Sequence, residues 1–288
     1  MKKTTVGARI YALWQRGLGV LVPARKKAAL RAQLMAMRRD DAQSPFDIEA
    51  QIIRAITITP RGMIDVGANV GVYATAMEDI LGAKNLYLFE PLPHLYRRLR
   101  WDFPRAQVFA IALSDQQGLA TLRVPFINGR RFDSRASLNQ HSEPAQTAAH
   151  TTTAQRDTLD AVAQRVAFGP VGLIKIDVEG HELAVINGAA QFLTTRQPLV
   201  LIEIEARHHQ FPIATIFARL EALGYRGYYV NPHTATLAPV WDFVVARDQD
   251  PHAIAAHDFG RYLNNFFFVP VAKEALFVAE VQAFLAES

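Results

Sequence analysis

The sequence predicts an α/β domain built on a mostly parallel sheet with helices on both faces, and three observations predict it. From Gly62 onward, short apolar runs alternate with helix-length amphipathic segments. One such run leads into Ile64-Asp65-Val66-Gly67-Ala68-Asn69-Val70-Gly71, and the next, Leu86-Tyr87-Leu88-Phe89-Glu90-Pro91, closes on a carboxylate 25 residues after Asp65, the spacing of a βαβ nucleoside site. A later run ends in Lys175-Ile176-Asp177-Val178-Glu179-Gly180-His181-Glu182, a dense set of ionisable side chains where a central strand should stop.

Taken in order, strands are expected at Met63 to Val66, Asn85 to Phe89 and Gln107 to Leu113, with helices at Val72 to Leu81 and Leu95 to Trp101. Between Ser114 and Ala161 the pattern breaks. Leu119 to Val124 reads as a short strand, and Asn128 to Gln155 is polar, so residues 114–161 are expected to form a substrate-facing lid inserted in the domain. Regularity returns with a strand at Val171 to Asp177, a helix from His181 to Leu193, a strand at Leu199 to Glu205, a helix from Ile213 to Leu223 and a strand at Tyr225 to Val230. Val240 to Val245 and Phe266 to Val269 are further runs of strand length, and Lys273 to Ala286 is a closing helix. Residues 46–288 thus form the domain, and residues 1–45 an arm.

The chain has no Cys, which excludes disulfides, thiolate zinc sites and a cysteine nucleophile. No apolar run reaches the roughly 18 residues of a membrane span, so a cytoplasmic protein is expected. The net charge of +4 is uneven, since residues 1–39 hold ten basic residues and no acidic one. Ile10, Leu13, Trp14, Leu18 and Leu21 recur near helical spacing there. The arm therefore reads either as a helix lying peripherally on an anionic inner membrane surface or as one packed on the domain or on the next subunit of a homo-oligomer. No nucleic-acid partner is expected.

In the first cluster, Gly67 allows a sharp turn close to a ligand, Gly71 lets the helix start pack tightly, and Asp65 and Asn69 bring polar groups to the mouth. Glu90 would accept hydrogen bonds from a ribose diol. The dinucleotide fingerprint Gly-x-Gly-x-x-Gly fails at Asn69 and Val72, and the turn carries no Lys or Arg, which disfavours a pyrophosphate. S-adenosyl-L-methionine, an adenosine bearing a sulfonium and an amino acid tail, suits an acidic turn of this kind.

In the second cluster, Asp177 should share the strand-end edge with Asp65 and Glu90, and Gly180 permits a tight turn into the helix that His181 and Glu182 open. The positive end of that helix disfavours imidazolium, which leaves His181 neutral and able to accept a proton. The competing reading is structural: Glu182 complements the helix dipole, and Asp177 caps the helix or pairs with Lys175. Asp177, Glu179 and Glu203 are the oxygen donors a divalent cation would use, but no pattern fixes a ligand set and no metal is assigned. His208 and His209 read as solvated loop residues. Arg130, Arg131 and Arg135, beside Asn128, Ser137, Asn139 and His141, would bind an anionic or hydroxyl-rich substrate or form a solvated lid.

With both motifs in hand, the sequence resembles the FkbM family of S-adenosylmethionine-dependent methyltransferases from about Ile58 to Pro270. Ala112-Leu113-Ser114-Asp115, Thr158-Leu159-Asp160 and Asn187-Gly188-Ala189 join the two clusters and Phe89-Glu90-Pro91 in carrying it. The resemblance implies a Rossmann-like class I methyltransferase fold with a seven-stranded sheet, and methyl transfer to a hydroxyl, often of a sugar in a glycan or of a secondary metabolite. It further implies that Asp65, Gly67, Asn69, Gly71 and Glu90 hold the cofactor, that Ser114 and Asp115 lie near the adenine, and that Asp177, Glu179, His181 and Glu182 face the acceptor in catalytic roles. Two other classes compete. An NAD-linked sugar oxidoreductase would use a similar βαβ start, against which Asn69 argues, and a non-catalytic nucleoside-binding protein would bind without turnover.

Overall fold

The computed structural model describes residues 48–58, 61–139, 146–231, 234–252 and 262–287. The basic arm and His141 lie outside the described residues. The chain runs through α1 (Ile48–Ala55), β1 (Met63–Val66), α2 (Val72–Leu81), β2 (Leu86–Phe89), α3 (Pro93–Asp102) and β3 (Gln107–Phe109). An inserted unit follows, with β4 (Ala112–Leu113), β5 (Gly118–Ile127), β6 (Arg130–Arg131) and β7 (Gln146–Asp157). The second half contains α4 (Leu159–Arg165), β8 (Leu173–Ile176), α5 (Glu182–Gly188), α6 (Ala190–Arg196), β9 (Leu199–Glu203) and α7 (Ala214–Ala222). It ends with β10 (Tyr225–Asn231), β11 (Thr236–Pro239), α8 (Val245–Asp248), β12 (Asn265–Pro270) and α9 (Glu274–Glu287).

The main sheet has the strand order β11-β10-β12-β9-β8-β1-β2-β3. Strands β3, β2, β1, β8 and β9 are parallel, whereas β12, β10 and β11 pair antiparallel at one end. Among the described residues the sheet has eight strands against the expected seven, and β11 is a four-residue edge strand folded back on β10. Strict alternation builds two cores. Ile64, Val66, Ile174, Ile176, Val200 and Ile202 face one side, toward α4 to α7, while Met63, Leu173, Leu199 and Leu201 face the other, with Met77 of α2 and Phe277, Val281 and Leu285 of α9. The last three recur at four-residue spacing, the buried stripe of a helix.

The structure departs from the expected elements where local pattern and long-range packing disagree. Gln107 to Leu113 is not one strand: β3 belongs to the main sheet, and β4 pairs with β7 in a second sheet of order β4-β7-β5-β6. The expected polar lid is largely a β-ribbon, with β5 and β7 paired antiparallel from Gly118↔Arg156 to Ile127↔Gln146. Strand β7 escapes a hydrophobic reading because Leu122 and Val124 of β5 supply most of the buried face, packed with Leu92 and Leu95 of the α3 region. Val240 to Val245 is not a strand. A 3-10 turn at Val240–Asp242 follows Pro239, which lacks an amide donor, and the Asp248 carboxylate accepts from the Val244 amide at 2.8 Å to start α8.

The helix expected from His181 to Leu193 is interrupted at Ala189 and becomes α5 and α6. Gly188 ends α5 against the backbone of Ser114, where a Cβ would lie 1.9 Å from the Ser114 carbonyl oxygen. Gly188→Ala should therefore destabilise the fold by about 1–3 kcal/mol, although alanine is the better helix former. Urea denaturation measures this, and an unchanged or higher midpoint would show that α5 does not rest on Ser114.

Candidate functional site

The chain leaves β1 and β8 in opposite directions across the sheet, and the crevice at this switch point is where open α/β sheets take ligands. After β1, the Gly67 and Ala68 amides both donate to the Phe89 carbonyl at 3.0 Å, which ties the turn to the end of β2. Gly67 has φ +78°, and a Cβ there would lie 1.9 Å from the Asp177 carbonyl oxygen, so the turns after β1 and β8 touch. Gly71 also has positive φ, and its missing Cβ makes room for the Phe103 ring at 2.6 Å, so it packs α2 on the end of α3. Glu90 is buried at the end of β2, its two oxygens accepting the Asn69 amide at 2.9 Å and the Leu92 amide at 2.8 Å.

A cleft of about 530 Å³, open to solvent, lies above these strand ends. Gly67, Asn69 and Glu90 line it from the first cluster, and Asp177, Glu179 and His181 from the second. Ile111, Leu113, Leu122 and Leu138 give it an apolar side. Asp65, Gly71, Ser114, Asp115 and Glu182 are not among its lining residues. Asp65 sits behind the turn on the α2 face, cross-strand from Lys175 in register.

The charges there are deeply buried. Lys175 is 1% exposed, with Nζ 3.3 Å from Asn265 Oδ1, 3.7 Å from Glu203 Oε2 and 5.2 Å from the centre of the Tyr73 ring. Burial pushes the Asp65 carboxyl up to about 7, against the attraction of Lys175 and with the help of Asp177. Burial likewise lifts Glu90 to about 7, against the amides of Leu92 and Asn69. Asp177 is raised as well, by burial and by Glu182 and Glu205, with Lys175 opposing.

The loop from Asp177 to His181 is fixed from several sides. Glu179 and Gly180 have φ of 52° and 92°, and a Cβ on Gly180 would lie 2.9 Å from the His208 carbonyl. Ser137 Oγ donates to the Glu179 carbonyl at 2.6 Å, and Asn139 Nδ2 donates to the Gly180 carbonyl. Asn139 Oδ1 is then left to face His181 Nδ1 at 2.9 Å, while His181 Nε2 meets Ser114 Oγ at 2.9 Å. An amide oxygen only accepts, so Nδ1 carries the proton and Nε2 is the basic nitrogen, assigned from hydrogen-bond satisfaction. Ser114 Oγ has a second partner in Asp115 Oδ1 at 3.2 Å. Burial lowers the pKa of His181 and the nearby Arg156 assists, against Glu182 and Asp115, so the ring is neutral at pH 7.

Several side chains take roles other than those expected. Glu182 is 2% exposed, its Oε1 accepting the Gly180 amide at 2.8 Å, which makes it a brace for the loop. His208 and His209 are not solvated. His208 Nδ1 lies 3.2 Å from Glu179 Oε2, and the fully buried His209 ring lies 3.0 Å from Glu182 Oε2, at an angle outside the hydrogen-bonding range. Glu203 faces Asn264 and Lys175 rather than Glu179. Among the described residues, no group of three His, Asp or Glu converges as a metal site. Ser137 and Asn139, read in sequence as part of either a substrate-binding set or a solvated lid, hold the loop from Asp177 to His181, a contact over 40 residues of chain that no local pattern signals.

The family model of the methyltransferase FkbM domain matches residues 65–227, a span running from Asp65 through both clusters. The chain belongs to the FkbM methyltransferase family. Solved structures similar to it include a methyltransferase FkbM from Methylobacillus flagellatus, with 16% identity and a TM-score of 0.42 over 72% of this chain and 43% of that one. Others are a TehB-like SAM-dependent methyltransferase from Corynebacterium glutamicum (16% identity, TM-score 0.33, 83% of this chain and 98% of that one) and a precorrin-6y C5,15-methyltransferase from Geobacter metallireducens (10% identity, TM-score 0.36, 77% and 84%). The FkbM chain thus spans less than half the length of the Methylobacillus protein. No curated protein sequence matches it.

The raised carboxyls of this FkbM domain have a measurable sign. A carboxyl whose folded pKa lies above its ordinary value favours the folded state when protonated, so its contribution is full below the ordinary pKa of 3.8 and is lost as pH rises toward about 7. Asp65→Asn removes that loss. Relative to wild type, its stability should therefore grow between pH 4.5 and 7.5, by on the order of 4 kcal/mol at most. Urea denaturation at the two pH values measures the change, and a difference independent of pH would show that Asp65 titrates normally.

Proposed function

We propose that this protein is an S-adenosylmethionine-dependent O-methyltransferase acting on a hydroxyl of a sugar in a glycan or of a secondary metabolite. The observation that carries this reading is the meeting of the two motif clusters in one cleft at the β1/β8 switch point, within a chain of the FkbM family. The residues present fit the cofactor. Gly67, its Cβ position taken by the Asp177 carbonyl, brings both turns to the wall of the one cleft, and Glu90 is a buried carboxylate with lone pairs left for a ribose diol. Asp65 and Asp177 put two carboxyls near the same edge whose raised pKa values a sulfonium and an ammonium group would lower, so binding such a ligand would ionise them. An NAD-type pyrophosphate would meet these carboxylates with no Lys or Arg among the described lining.

When bound, S-adenosylmethionine supplies a methyl group already activated by its sulfonium. The protein's residues then align the acceptor oxygen, exclude water and take the hydroxyl proton. Orientation can contribute roughly 7–11 kcal/mol and a general base about 3–5, so alignment dominates. We assign the base to His181 Nε2 and the positioning of the hydroxyl to Asp177, with Glu179 and Glu182 holding the loop. Ser114 Oγ occupies Nε2 in this conformation, and Asp115 gives its hydroxyl an alternative partner when the acceptor enters.

Calorimetry should show S-adenosylmethionine and S-adenosylhomocysteine binding in preference to NAD, and tighter binding of NAD sinks the reading. Glu90→Ala should weaken the methyl cofactor by about 1.5–3 kcal/mol; an unchanged affinity moves the ribose contact elsewhere.

With an acceptor in hand, His181→Asn should keep cofactor affinity while kcat falls about 10²- to 10⁴-fold. Ser114→Ala separates two routes for the proton. If Ser114 only occupies Nε2, kcat holds or rises, whereas a fall matching that of His181→Asn would make the serine hydroxyl a relay. Wild-type turnover by His181→Asn would remove the histidine from the mechanism.

A further inference from the structure

The hydrogen bonds around His181 give Asn139 a role that neither sequence motif signals. Residues 134–139 run extended beside β5, where Arg123 and Ser137 exchange both backbone hydrogen bonds at 2.9 Å, so successive side chains face opposite ways. Ala136 and Leu138 line the cleft, whereas Ser137 and Asn139 lie behind that wall. Asn139 therefore reaches His181 from behind the wall and is not itself among the residues lining the cleft. Its neighbours fix its place. The Asn139 backbone amide donates to Ser137 Oγ at 3.0 Å, and that hydroxyl donates to the Glu179 carbonyl at 2.6 Å.

An amide in this place orients the ring without bringing a charge to it. Charge is already close by. Burial disfavours imidazolium most, with Arg156 of β7 on the same side, against Glu182 at the start of α5 and Asp115 between β4 and β5. Asp177 and Glu179 lie in the same loop, Glu179 Oε2 being 3.2 Å from His208 Nδ1. One more carboxylate, in contact with Nδ1, would favour the charged ring, and an imidazolium has no lone pair with which to take a proton. On the other side of the ring, the Ser114 hydroxyl at 2.9 Å from Nε2 can donate or accept, so it leaves the tautomer open and Asn139 decides it.

We propose that Asn139 is a positioning residue for proton transfer, which selects Nε2 of His181 as the basic nitrogen and holds the ring through a neutral contact. The proposal rests on the O-methyltransferase reading and deepens it. As the acceptor oxygen bonds to the methyl carbon, the methyl–sulfur bond breaks with its electron pair left on sulfur, and the hydroxyl proton passes to Nε2. The Nδ1 proton is donated to Asn139 Oδ1 before and after the transfer, so the ring gains its proton without turning. Without Asn139, the ring proton can sit on Nε2 and be donated to Ser114 Oγ, and the nitrogen assigned to the acceptor is then no longer a base.

The test uses the full chain, labelled with ¹⁵N in histidine and saturated with S-adenosylhomocysteine, with the His181 signals identified by their loss in His181→Asn. The neutral wild-type ring should show a protonated Nδ1 and an unprotonated Nε2. Asn139→Ala should lose that preference, while Asn139→Asp should keep it and raise the midpoint of the His181 titration by about one pH unit or more, a tenfold gain in proton affinity. With an acceptor, the acid limb of kcat in Asn139→Asp should move up with that midpoint, so that a loss of about tenfold at low pH is recovered as pH rises. In Asn139→Ala, kcat should fall at every pH, because a tautomer ratio does not change with pH. S-adenosylhomocysteine affinity should be the same in wild type and both variants, which also reports that they fold. Both substitutions remove the amide donor to the Gly180 carbonyl, so a purely structural Asn139 gives equal losses in both and an unmoved midpoint. That result overturns the proposal, as does a wild-type ring protonated on Nε2. If wild type fails to bind S-adenosylhomocysteine, the methyltransferase reading fails by itself, and spectra of the unliganded chain still decide whether Asn139 sets the tautomer.

Discussion

The structure depends on the near-contact between two backbones at the β1/β8 seam. The Asp177 amide donates to the Val66 carbonyl at 3.0 Å, extending the parallel ladder one residue past the strands, and the Asp177 carbonyl then rests where a Cβ of residue 67 would be. Only a glycine with φ near +78° meets both demands. Both loops are thereby held at the mouth of one cleft. The residues that follow, Asn69 on one side and Val178 to His181 on the other, inherit their positions from this contact. Gly188 against Ser114 repeats the device one layer out and joins α5 to the start of the inserted ribbon.

This closeness has an electrostatic consequence. Bringing the ends of β1, β2 and β8 together buries Asp65, Glu90 and Asp177 at one edge, where Lys175 is the cation that opposes the rise of both aspartates. Desolvation still wins, since all three carboxyls rise. A site in that state binds a cation with release of protons, because a positive ligand lowers the raised pKa values toward their ordinary range. Tyr73 and Glu203 keep Lys175 on the α2 face, so the charge of the lysine reaches the cleft while its ammonium does not.

Legibility in the sequence followed the range of the interactions. The βαβ units from Met63 to Phe109 and the strands β8, β9 and β10 were readable because burial on both faces leaves apolar runs of strand length. Glycine and carboxylate spacing marked Gly67, Glu90 and Asp177 for the same local reason. The ribbon was not readable. Strand β7, Gln-Thr-Ala-Ala-His-Thr-Thr-Thr-Ala-Gln-Arg-Asp, buries little and is held by its pairing with β5. Nor did the sequence show that His208 and His209 pack under Glu179 and Glu182, since nothing near them predicts burial.

The inserted unit therefore shapes the loop at the cleft and is more than a cover. Asn139 donates to the Gly180 carbonyl, which turns its oxygen toward His181 and places the imidazole proton on Nδ1. The basic nitrogen of His181 is thus selected by a residue outside the main sheet, and Ser137 clamps the Glu179 carbonyl of the same loop. The segment that fixes the tautomer is itself tied to β5 by the bridge between Ser137 and Arg123. Changes at Ser137 or Asn139 would then loosen the loop and free the His181 ring, while the turn at Gly67 and Glu90, built on β1 and β2, would be left as it is. On the proposed reading the cofactor-holding turn is anchored in the sheet and the tautomer of the base in the insertion, and the loop from Asp177 to His181 is where the two meet.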